Sequence, residues 1–153
     1  MLSKRKLSSA AFAVAFALAL ATTPAAASLA QKEGEDAGRP LTAHLAGTNE
    51  VPSGDPDGSG HARVTLNQGR SRICFDIEVE DIGTVVNAHI HAAPAGVNGP
   101  VVVPFNPAVN GLKNCVTADP DLIKDIRQNP ANYYVNVHTS EFPGGAVRGQ
   151  LSK

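Results

Sequence analysis

The chain has 153 residues, with 13 basic and 14 acidic side chains, five histidines, two cysteines and no tryptophan. That length suits one ordinary domain and is short for two. An acidic-to-neutral balance with no basic stripe excludes the electrostatic footprint of a nucleic-acid or anionic-membrane binder.

The first thirty residues read as an export signal. Lys4, Arg5 and Lys6 form a positive start, Ala10 to Ala21 is an almost unbroken apolar run, and Ala25-Ala26-Ala27 fits the small-residue cleavage rule. The apolar run is shorter than the roughly 20 residues of a spanning helix, so a cleaved signal over residues 1–27 is expected rather than a membrane anchor. Cleavage after Ala27 takes the basic count from 13 to 10 against 14 acids, a net charge near −4. The chain is therefore expected outside the cytoplasm: periplasm, cell surface or medium. Residues 28–40, including the charged run Glu33 to Gly38, read as a flexible leader, and the folded domain is expected over 41–153.

From Leu41 onward the period is two, the mark of half-buried strands. Strands are predicted at Leu41–Ala46, Ala62–Leu66, Ile73–Val79, Val86–His91, Val101–Pro104, Gly111–Val116, Tyr133–Thr139 and Ala146–Leu151. Asn67 to Arg70 supplies the turn between the second and third. One short helix interrupts them: Asp119 is placed to cap it, Pro120 to open it, and Asn129-Pro130 to stop it. The fold class is all-β, an antiparallel Greek-key sandwich or barrel of about eight strands.

Cys74 and Cys115 are an even pair in an exported chain, which predicts a disulfide; two separate buried thiols are the rival reading. A bridge closing a loop of about 40 residues stabilises by roughly 4 kcal/mol in the chain-entropy model.

His89 and His91 stand at i and i+2, so on a strand both rings leave the same face, opposite Ala88 and Ile90. His138 lies on the polar phase of its own strand, since Val135 and Val137 take the apolar phase. If these two strands are neighbours, three imidazoles converge on one outer patch that the Ala92–Pro100 loop would roof. Neutral imidazole is the commonest ligand of zinc and copper, and three rings leave a coordination position open. The metal candidates are thus His89, His91 and His138, with His61 a candidate fourth; His44 and His61 also read as surface residues. Arg148, on the polar phase of the last strand, is the candidate for drawing a small anion to the metal. The alternative is an ordinary strand arginine paired with Asp76, Glu78 or Glu141. The hydrolase elbow Gly-x-Ser-x-Gly, a spare cysteine nucleophile and a phosphate-cradling glycine loop are all missing. Asp55-Pro56-Asp57-Gly58 lacks the later acids of an EF-hand loop and reads as a solvated turn.

Four segments in order resemble the chordin-type (CHRD) domain: Leu45 to Pro52, Ala88 to His91 followed by Gly99-Pro100-Val101-Val102, Tyr133 to Thr139, and Pro143 to Leu151. The likeness spans about residues 41–151. It implies an extracellular module; the family takes its name from chordin, an antagonist of bone morphogenetic proteins. A single copy behind an export signal is similar instead to stand-alone members of unknown function, so antagonism is not carried over. A weaker resemblance links His89, His91, His138 and Arg148 to the copper-zinc superoxide dismutases. Those enzymes set a His-x-His strand pair, a late histidine and an anion-steering arginine on a Greek-key sandwich. The run Ala92–Pro104 contains no histidine or aspartate, so the zinc subsite is missing and the likeness implies at most a copper-only site. Three readings stand: a secreted module binding copper or zinc, a copper-dependent redox enzyme of dismutase type, and a metal-free structural or adhesive module. No protein partner is implied.

Overall fold

The computed structural model describes residues 40–107 and 111–153; the expected export signal and leader lie outside the described residues. Among the described residues eight strands form: β1 (Leu41–Ala46), β2 (Ser59–Asn67), β3 (Arg72–Glu80), β4 (Val85–Ala92), β5 (Val101–Pro104), β6 (Lys113–Thr117), β7 (Tyr133–Thr139) and β8 (Val147–Gln150). One helix, α1 (Pro120–Gln128), joins β6 to β7. Where the sequence alternates, burial alternates with it. Leu41, Ala43 and Leu45 are buried while Thr42 and His44 are exposed, and Ile73, Phe75 and Ile77 are buried in β3.

All strand pairs are antiparallel, in the order β5-β4-β7-β8-β1-β2-β3-β6. β8 returns from the end of the chain to lie beside β1, the Greek-key arrangement. The β1–β8 seam is thin, with a single register pair, Ala46 opposite Arg148, and a bridge between Thr42 and Ser152. The sheet folds over so that its two halves share one core. Phe75 of β3 stacks on Phe105, just past β5, with ring centroids 4.1 Å apart. Val64, Ile73, Ile90, Val103, Val135 and Val137 fill the space between the halves. Each such fully buried side chain contributes about 1.5–3 kcal/mol relative to exposure.

Helix α1 starts as predicted: the Asp119 side chain accepts from the Asp121 backbone N–H at 2.7 Å, and Pro120 needs no donor at the first position. It buries Ile123 and Ile126 in the core, and Arg127 donates to the Leu66 carbonyl at the end of β2. Cys74 and Cys115 are directly opposite on β3 and β6 and form the disulfide, on the face away from the core. The helix thus leaves from a strand that is covalently tied to β3. Among the described residues no helix is long and apolar enough to cross a membrane.

Candidate metal centre

β4 and β7 are immediate neighbours, in a register that sets His91 opposite Tyr134, His89 opposite Asn136 and Asn87 opposite His138. Ala88, Ile90, Val135 and Val137 point into the core with essentially no exposure. The opposite phase therefore carries His89, His91, Asn136 and His138 away from the core. Ring centroids are 5.0 Å apart for His89 and His138, 5.5 Å for His89 and His91, and 6.5 Å for His91 and His138. One ligand atom from each of the three lies within 4.8 Å of the others, and among the described residues no other set of three or more metal-ligating side chains does so.

Backbone carbonyls set the rings. His91 Nδ1–H donates to the Gly99 carbonyl at 2.9 Å, and His138 Nδ1–H donates to the Pro143 carbonyl at 2.9 Å. A neutral imidazole carries one proton, so both Nε2 atoms are left as lone pairs. Such outer bonds fix the tautomer and orientation of histidine ligands. His138 Nε2 meets His89 Nδ1 at 3.2 Å; His91 Nε2 is buried without any partner.

All three rings are half-buried, and all three are harder to protonate than free imidazole. Burial is the main cause for His89, followed by repulsion from His138 and His91, which together bring it down to about 4. Burial also lowers His91, with the Gly99 hydrogen bond working against it and the Arg148 charge adding to it. His138 is lowered chiefly by burial, which the bond to Pro143 opposes and His91 reinforces. At neutral pH the patch is three neutral imidazoles.

Two loops cover this face. The 93–100 loop supplies Gly99, whose N–H also donates to the Tyr134 hydroxyl at 3.3 Å. A Cβ at Gly99 would sit 2.1 Å from the Ala92 carbonyl oxygen, so the loop closes this tightly only with glycine. The other loop carries Glu50, and Asn98 Nδ2 ties the two together by donating to the Val51 carbonyl at 2.7 Å. The Tyr134 ring lies parallel to His91 at 4.8 Å and takes the Arg148 guanidinium over its face at 4.4 Å.

Arg148 is in a different setting from the one expected. Its partner is Glu50, at 3.0 Å between Nε and Oε2, with the two side chains 4% and 2% exposed. Asp76 and Glu78 lie on β3, across β1 and β2 from β8, and Lys113 takes Asp76 instead. The remaining guanidinium nitrogens donate to the Val97 carbonyl and Asn98 Oδ1. Burial pushes the Glu50 carboxyl up, against the pull of Arg148. His61 does not join the three histidines. It faces His44 across β1 and β2, centroids 4.6 Å apart, on strands separated from β7 by β8. Glu50, Asn136 and Tyr134 are the parts of the site that the sequence reading missed. Asn136 had a signal, standing two residues before His138 on the same phase; Glu50 had none in the strand periodicity, because it lies in a loop.

The CHRD domain model matches residues 41–151, from the first residue of β1 to just past β8. The chain belongs to the CHRD domain family. Both covering loops and all three histidines of this CHRD domain fall inside the matched span. No curated protein and no solved structure matches the chain.

Proposed function

We propose that this protein is an exported CHRD module that holds one transition-metal ion, zinc or copper, through His89, His91 and His138. The observation that carries the reading is the buried, unpartnered Nε2 of His91. A buried lone pair with nothing to accept is rare, and it stands beside two further imidazoles whose ligand atoms lie within 4.8 Å. The donor set suits zinc or copper, for which imidazole is a good ligand, over magnesium or calcium, which take oxygen. Export rests on the residue order of the first 27 positions, with cleavage after Ala27.

A dismutase-type redox role would need a cation free to attract a small anion. Arg148 is neutralised by Glu50 and 3% exposed, so anion steering requires that pair to open. The binding reading is therefore preferred to the catalytic one. Metal analysis of protein purified without a histidine tag and exposed to zinc or copper tests it. One ion per chain is expected, lost in the triple variant His89→Ala, His91→Ala, His138→Ala while the β-sheet circular dichroism is kept. Equal metal content in the two proteins would reject the site, and loss of the fold in the triple variant would favour the metal-free structural role.

A further inference from the structure

Among the described residues two buried side-chain polar atoms lack a hydrogen-bond partner, and both belong to this face: His91 Nε2 and Asn136 Oδ1. Both are lone-pair donors with no proton to give, so neither can satisfy the other. A Lewis acid satisfies both at once.

The position of Asn136 fits that role. It is the register partner of His89 and stands two residues before His138 on the same phase of β7, so its side chain leaves the sheet on the face that carries the three rings. It is 3% exposed. Its carboxamide orientation is set by chemistry: Nδ2 donates to the Glu50 carboxylate, and the reverse orientation would press oxygen against oxygen. Glu50 is in turn fixed by Arg148. Burying an ion pair is costly, and removing one partner is costlier still. Here the pair anchors an amide whose oxygen is left over.

We infer that Asn136 Oδ1 is the fourth ligand of the ion, completing a set of three nitrogens and one oxygen. The inference rests on the three-histidine reading and deepens it. Four protein donors fill a tetrahedron, the mark of a resident ion rather than of a centre with an open reactive position. A carboxamide oxygen in the set favours zinc or copper in the divalent state over monovalent copper, which soft sulfur ligands suit.

The test uses the full exported chain with zinc and, as an optical probe, cobalt. In the wild-type protein, one equivalent of zinc should shift the Asn136 side-chain amide resonances in a 15N–1H spectrum along with those of the three histidine rings. Asn136→Leu, which removes the lone pair at similar volume, should weaken zinc roughly tenfold or more and change the cobalt d–d absorption. Asn136→Asp combined with Glu50→Gln, which keeps an oxygen donor at 136 and moves the amide donor of that buried contact to position 50, should retain zinc near the wild-type affinity. Zinc bound at the histidines with the Asn136 resonances unmoved, or an Asn136→Leu variant with wild-type affinity and cobalt spectrum, overturns the fourth ligand alone. So does equal weakening in both variants, which would mark a purely structural residue. A wild-type chain that takes up no zinc overturns the histidine site together with it.

Discussion

His89 Nδ1 and His138 Nε2 meet at 3.2 Å across the β4–β7 pair. Because His138 gives its own proton to Pro143, its Nε2 can only accept, so His89 donates when no ion is present. An ion replaces this bond with two coordinate bonds. At pH 7 all three rings are neutral, so uptake should release almost no net proton. As pH falls below the ordinary imidazole range toward 4, where His89 is held, the rings take up protons that an ion must displace, and release should grow. Calorimetric titration with zinc in buffers of different ionisation enthalpy reads this directly.

The same shifts make the ion-free fold acid-sensitive. The three rings have folded pKa values below the ordinary imidazole value, so the unfolded chain binds more protons once pH drops below about 6.5. Their contribution is complete above that value and is lost as pH falls toward 4, the folded value of His89. Glu50, raised by burial, offsets part of the loss at the acid end. The melting temperature of ion-free protein should fall by several degrees between pH 7 and pH 4. It should fall less in the triple histidine-to-alanine variant.

Glu50→Ala leaves the Arg148 guanidinium buried without its counter-ion, which should destabilise the fold by about 3–5 kcal/mol. Replacing both with apolar residues, Glu50→Leu with Arg148→Met, should recover much of that loss. The double variant should still bind zinc more weakly than wild type, because Asn136 has lost its anchor. Denaturant unfolding and zinc titration on the same samples separate the two effects.

The disulfide sits at the other end of the sheet order, on β3 and β6. Reduction, or Cys74→Ala with Cys115→Ala, should cost roughly 4 kcal/mol in the chain-entropy account. Zinc affinity should stay within about twofold, since β4 and β7 are not linked by that bridge.

Strand identity was readable because period-two alternation and burial are one fact seen twice. Ala88, Ile90, Val135 and Val137 name the core face, which leaves His89, His91 and His138 no face but the other. What one strand's pattern cannot contain is which strand lies beside it. The adjacency of β4 and β7 comes from the crossover of the chain, and with it the meeting of the rings. The same limit explains His61, whose phase is right but whose strand belongs to the other half of the sheet. Arg148 shows a second limit. Its phase was readable, but its partner sits 98 positions earlier in a loop, where no periodicity applies.

The most direct measurement of the central claim is a long-range 15N–1H spectrum of the imidazole nitrogens during zinc addition. One equivalent should move the ring nitrogens of His89, His91 and His138 to metal-bound shifts and leave His44 and His61 where they were. If the first three stay unmoved, or if His44 and His61 respond in their place, the ion does not sit on the β4–β7 face and the account is wrong.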